Sequence, residues 1–140
     1  MCGFAGFLTQ SYNLSSPQGV LNSMGNSIRS RGPDSKGIFY DSDQGIGLSF
    51  RRLAILDLSD AGSQPMSSAS GRFVICFNGE IYNHKDIRKE IERKSSSKIV
   101  WSGHSDTETL LASIELFGLE ETLKKCTGMF AISLWDKKDS

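Results

Sequence analysis

Net charge, paired cysteines, long apolar runs and histidine are what this 140-residue sequence has little of. Sixteen Lys and Arg residues balance sixteen Asp and Glu, so no field of one sign steers the chain toward nucleic acid or an anionic membrane. Its one basic stretch, RKEIERK, alternates with acids and reads as a solvated helix face. No apolar run approaches the roughly 20 residues of a membrane span. The start also lacks the basic region and long apolar stretch of a secretory signal. Cys2, Cys76 and Cys126 stand far apart with no paired spacing. That argues against a zinc site and for three free thiols in a reducing cytoplasm. The two histidines, His84 and His104, have no partner at catalytic or metal-ligand spacing, so neither is expected to do direct chemistry.

What is present is an ordinary globular composition, 38% hydrophobic and 23% charged, in a length suited to one domain. CGFAGFLT predicts a buried first strand. Ser16-Pro17 starts a helix whose apolar residues Val20, Leu21, Met24 and Ile28 recur at helical spacing to about Ser30. Gly32-Pro33 in RGPDSKG must break it. GIFY, GIGLSFRR and LAILDL then read as short strands, and SDAGSQPMSSASG as a polar surface loop. RFVICFN predicts a strand ending in a sharp turn at NGEIYN, followed by a helix from about His84 to Lys94 with Ile87 and Ile91 on one face. KIVW reads as a further strand. Ser105 and Glu108 make a capping box for a helix stopped at Gly118, after which LEETLKKC is helical and MFAISLWD a last strand. Strands joined mostly by short turns, with helices bunched between some of them, imply an α+β layered fold with antiparallel sheets. The chain stops four residues after Asp136. A terminal strand is a poor place for a sheet to end, so truncation at the C-terminal end is expected.

Four places have chemical potential. Removal of Met1 would put a thiol and an α-amine on Cys2, and an amine titrating near ~7.7–8.0 accepts a thiol proton without any histidine. Taken singly, a terminal cysteine packed in the core is the simpler account. Asn78 and Gly79 supply a side-chain amide beside a backbone N–H, a reasonable donor pair for an oxyanion, although Asn-Gly is also a common turn dipeptide. Arg52 has the planar fork that holds a carboxylate, with Arg51 as its rival. Asp106 falls in the first turn of a helix, where it either complements the helix dipole or receives an ammonium group. His84 has the alternative of capping the helix it begins.

In order along the chain stand MCGFAGF, RGPDS, RRLAILDLS, QPM, FNGEIYNH, SDTETLL and GMFAISLWD. Together they resemble the glutaminase domain that begins glutamine-dependent asparagine synthetases, a class II glutamine amidotransferase domain, over essentially the whole chain. The resemblance implies an N-terminal-nucleophile hydrolase fold, an αββα four-layer sandwich of antiparallel sheets. It implies hydrolysis of glutamine to glutamate and ammonia through a γ-glutamyl thioester on Cys2. Arg52 would bind the glutamine carboxylate, Asp106 its amine with Glu80 contributing, and Asn78 and Gly79 would form the oxyanion hole. The backbone of Leu53, Ala54, Ile55 and Leu56 would line the pocket.

On this resemblance residues 1–140 are an incomplete glutaminase domain whose partner is a covalently linked synthetase domain that the chain lacks. No cofactor is implied here; ATP and magnesium belong to that synthetase domain. The acceptor is aspartate or, as in relatives with similar motifs, a sugar of surface polysaccharides. The resemblance admits a homodimer and implies neither nucleic acid nor membrane as a partner. A chain that keeps Met1 is expected to hydrolyse little or no glutamine. Glucosamine-phosphate synthases and phosphoribosyl-amine-forming amidotransferases are disfavoured by RRLAILD, where they carry a histidine-threonine-arginine-tryptophan style motif. The reading from a different class is a catalytically silent, glutamine-binding or interaction domain.

Overall fold

The structure, a computed structural model, describes residues 2–9, 14–54 and 62–138. Strand β1 (Gly3–Leu8) pairs antiparallel with β3 (Ile46–Arg52), and β2 (Ser35–Asp41) pairs antiparallel with the other side of β3. Central β3 is buried from Gly47 to Arg52, because it is covered on both faces. Helix α1 (Pro17–Ser27) starts as the sequence predicts, with Ser16 Oγ accepting the Gly19 N–H at 3.2 Å. It ends three residues earlier than expected and tightens into a 3₁₀ turn over Arg29–Arg31. Gly32 then lies against the backbone of Arg51 and Arg52, where a Cβ would overlap main-chain atoms. That close approach clips the RGPDS segment onto β3.

The second sheet has the order β4 (Met66–Ser67), β5 (Phe73–Ile81), β6 (Gly128–Asp136), again antiparallel. Between β5 and β6 the chain forms α2 (His84–Lys94), α3 (Asp106–Phe117) and α4 (Leu119–Lys125). Successive side chains of a strand point to opposite faces, and β5 uses both. Phe73, Ile75, Phe77 and Ile81 pack with Ile87 and Ile91 of α2 and Leu110, Leu111 and Ile114 of α3. Val74 and Cys76 instead meet Leu48 and Phe50 of the first sheet, with Cys2, Phe4, Phe39 and Trp135 around them. On the other face of β3, Gly47 touches Leu21 of α1, and Arg51 bonds to the carbonyl of Gly25. The layers therefore run helix, sheet, sheet, helices. This is α+β, with two antiparallel sheets, and is compatible with the expected four-layer sandwich.

Several expectations need correction. KIVW is not a strand: residues 98–101 have no regular structure, and Val100 is 84% exposed. Its neighbour Trp101 lies under Arg88, whose guanidinium carbon is 3.9 Å from the ring centroid, and donates to Glu92 at 2.8 Å. Side-chain packing, not a ladder, holds this connection. The chain does not turn at Asn78-Gly79 either, since β5 continues through Glu80 and Ile81 in register with β6. The polar loop after Ala61 contains the two-residue β4. LAILDL, expected as a short strand of its own, has no strand at Leu53 and Ala54, and its remaining residues lie outside those described. The capping box is half made. Ser105 Oγ accepts the Glu108 N–H at 3.2 Å, but Glu108 turns to the N–H groups of Ser102 and Gly103 and to Arg88. Among the described residues, no helix is long and apolar enough to cross a membrane.

Candidate active site

A cleft of about 330 Å³ opens where the two sheets meet the first turn of α3. Cys2, just before β1, reaches it from the first sheet. The Leu53 N–H donates to Cys2 Sγ at 3.3 Å, and the thiol donates to Leu53 O at 3.6 Å. The exit of β3 is held in turn by Asp34, whose N–H donates to Arg52 O at 3.0 Å and whose Oδ2 accepts the Ala54 N–H at 2.8 Å. Leu53 and Ala54 line the cleft, whereas Ile55 and Leu56 lie outside the described residues.

The two arginines separate by strand alternation. Arg51 turns to α1, where Nε donates to Gly25 O at 3.0 Å and Nη2 to the Asn26 side-chain oxygen. Arg52, facing the other way, lines the cleft and is buried.

From the second sheet come Asn78, Gly79 and Glu80. Asn78 has the parity of Val74 and Cys76, which places its side chain on the face toward the first sheet and Cys2. Gly79 has a φ of +156°, and a Cβ there would collide with Met129 O and Phe130 Cα, so the position requires glycine. The direction of its N–H follows from the ladder. In an antiparallel pair, alternate residues turn their N–H toward the partner strand and away from it. Phe73 donates away from β6 to Ser68 Oγ at 3.1 Å, Phe77 to Gln64 Oε1 at 2.6 Å, and Ile81 to Asp106 Oδ2 at 3.0 Å. Gly79 shares that parity, and its N–H meets no acceptor among the described residues. One donor of this edge is thus left unused, and it lies in the wall of the cleft.

Asp106 is the first residue of α3 and only 7% exposed. Its bond to Ile81 ties the helix to β5, while its place at the helix start complements the dipole. Both sequence readings of Asp106 are compatible with this position. Neither histidine lines the cleft. His84 is the first residue of α2, so the capping position before the helix is taken by Asn83, whose side chain makes no capping bond. The buried Nδ1 of His84 has no hydrogen-bond partner among the described residues. Burial holds its pKa below the ordinary value, opposed by the nearby Asp106 carboxylate.

The three thiols are unpaired and stand in different surroundings. Cys76 is fully buried between the sheets, and burial pushes its pKa up to about 12. Burial also raises that of half-buried Cys126. Only Cys2 of the three lines the cleft. Among the described residues, no cluster of His, Cys, Asp or Glu is arranged to hold a metal ion. The structure thus brings together Cys2, Arg52, Leu53, Ala54, Asn78, Gly79, Glu80 and Asp106, from segments as far apart as Cys2 and Asp106. It adds Gln64, Tyr82, Thr107 and Met129 to the lining, none of which the sequence reading had given a role.

Residues 1–140 match the family model of a glutamine amidotransferase domain. A protein of Bacillus subtilis strain 168 named asparagine synthetase (glutamine-hydrolyzing) 1 is 40% identical over 141 residues, covering 99% of this chain and 21% of the relative. Asparagine synthetase (glutamine-hydrolyzing) 2 of the same strain is 35% identical, covering 98% and 17%. A putative asparagine synthetase (glutamine-hydrolyzing) of Mycobacterium bovis is 32% identical, covering 97% and 22%. The chain spans about a fifth of the length of these curated relatives.

Proposed function

The chain belongs to the glutamine amidotransferase domain family, and from that premise we propose that it hydrolyses L-glutamine to L-glutamate and ammonia at the Cys2 cleft. The observation that carries this reading is the convergence of a thiol, a guanidinium, a carboxylate and a backbone N–H that meets no acceptor among the described residues, all in one cavity. A volume near 330 Å³ suits a ligand of amino-acid size. Arg52 would hold the α-carboxylate and Asp106, with Glu80, the α-ammonium. Recognition of both charged ends selects free glutamine over a glutamine within a peptide.

The proposed chemistry balances without a metal or a histidine. With Met1 removed, the α-amine of Cys2 takes the thiol proton as Sγ attacks the side-chain amide carbon of glutamine. The carbonyl π electrons move to oxygen, and the Asn78 side-chain amide and the Gly79 N–H donate to that oxyanion. Each such donor typically contributes about 10²–10³ in rate. Collapse of the intermediate breaks the carbon–nitrogen bond while the ammonium proton passes to the leaving nitrogen, which departs as ammonia. Water, deprotonated by the same amine, then hydrolyses the thioester to glutamate and regenerates the thiol. The assignment includes an N-terminal-nucleophile hydrolase fold, supported by the order of the layers. A reducing compartment such as the cytoplasm keeps this thiol usable.

By likeness to relatives of which it spans about a fifth, residues 1–140 would form the glutaminase part of such a protein, supplying ammonia to a synthetase part that uses ATP and magnesium. The names of the relatives favour aspartate as acceptor over a polysaccharide sugar. The test is glutamate release from glutamine by methionine-free protein. Cys2→Ala is expected to lower it by at least about 10³-fold, with thermal unfolding unchanged. Undiminished release by that variant would refute the role of Cys2.

A further inference from the structure

β4 pairs with β5 at Ile75 and Val74, and the Ser68 N–H donates to Phe73 O at 2.9 Å, so among the described residues backbone pairing on this edge of β5 does not pass Ile75 toward Ile81. The side chain of Gln64 takes over at the next edge-facing residue. Its Oε1 accepts the Phe77 N–H at 2.6 Å and its Nε2 donates to Phe77 O at 3.2 Å, as a neighbouring strand would. An amide offers one acceptor and one NH₂ group, enough to satisfy one residue's edge and no more. The following outward N–H, that of Gly79, meets no acceptor among the described residues, and the one after it, Ile81, is taken by Asp106. A longer β4 would have closed the Gly79 position as well.

The clasp also reaches to either side of the cleft. Nε2 donates to Thr107 Oγ1 at 3.4 Å, next to Asp106 in the first turn of α3. The Gln64 backbone is fixed from the first sheet, since a Cβ on Gly37 of β2 would overlap the Gln64 carbonyl. The side-chain amide therefore joins the edge of β5 to the start of α3, while the Gln64 backbone lies against β2.

Resting on the glutaminase reading, we propose that Gln64 is a positioning residue: its amide caps β5 at Phe77, leaves the Gly79 N–H without an acceptor among the described residues, and fixes that donor's spacing from Asp106. Oxyanion stabilisation depends on donor placement, and a misplacement near 1 Å costs about 10²-fold.

The test compares wild type with Gln64→Met, which keeps the bulk and removes all three bonds. A second variant, Gln64→Glu, keeps an acceptor for Phe77 and loses both donors. Both are expected to lower kcat for glutamine hydrolysis about 10–100-fold with KM within about threefold, Gln64→Glu less severely. Iodoacetamide alkylation of Cys2, which develops no oxyanion, is expected to proceed at the wild-type rate. Unchanged kcat in both variants, or a rise in KM alone, would overturn the proposal. Amide hydrogen exchange supplies a readout independent of turnover. Phe77 is expected to lose protection at least about tenfold in Gln64→Met while Ile81 keeps its own, and unchanged Phe77 protection would overturn the clasp. Wild-type protein that releases no glutamate would refute the glutaminase reading instead, leaving the clasp to be decided by exchange.

Discussion

From Phe73 to Phe77 β5 is buried on both faces, whereas from Asn78 to Glu80 the same strand is half-buried or exposed. The ladder with β6 runs through both stretches without a break. Backbone pairing is thus constant, and the difference lies in what meets the side chains and the outer edge. The first stretch is enclosed by α2 and α3 on one face and by Leu48 and Phe50 on the other. The second lines the cleft with Asn78, Gly79 and Glu80. A strand anchored by a core at one end is a rigid mount for donors at the other, and rigidity is what an oxyanion site needs.

That comparison separates function from stability along one element. Asn78→Ala is expected to lower kcat for glutamine hydrolysis about 10²–10³-fold while changing folding stability by less than about 1 kcal/mol. Three residues earlier, Ile75→Ala removes a fully buried side chain and is expected to cost about 2–5 kcal/mol in urea unfolding. Its kcat per folded molecule should stay near wild type. Reversal of the two outcomes would break the division drawn within β5.

The smallest expected effect lies where β5 passes into α2. His84 has a pKa below the ordinary value, burial outweighing the opposite pull of Asp106. Glu80 also favours its charged form, while Arg88 and Lys85 disfavour it. The folded state therefore prefers neutral His84. This contribution is present above the unfolded value near ~6.5 and is lost as pH falls through the lower folded value. Tm should fall on acidification below about 6.5, and His84→Gln should flatten that part of the profile. Parallel profiles for the two proteins would show that His84 does not contribute.

Much of the fold was legible because its signals are local. Ser16-Pro17, the Ser105 cap and Gly118 (φ +83°) stand at helix ends, Ile87 and Ile91 mark the inner face of α2, and RFVICFN reads as the strand it is. KIVW misled because Ile99 and Trp101 are half-buried around exposed Val100, an alternation that imitates a strand while side chains on α2 do the holding. Asn78-Gly79 misled because its turn propensity is overridden by pairing with Ala131 and Phe130, more than fifty residues away. Arg51 and Arg52 were ambiguous until the register of β3 put them on opposite faces. Gln64 had no readable signal of its role, since its partners Phe77 and Thr107 are 13 and 43 residues distant.

Cys2 and Cys76 extend the same contrast to the thiols, one in the cleft and one sealed between sheets with its pKa pushed up to about 12. The most direct measurement is intact mass with peptide mapping after incubation with 6-diazo-5-oxo-L-norleucine, a glutamine analogue that alkylates a nucleophile reading it as substrate. The account predicts a single adduct, on Cys2 of the methionine-free protein, blocked by free glutamine and absent from Cys76 and Cys126. No adduct on methionine-free protein, or labelling that glutamine does not suppress, would contradict it.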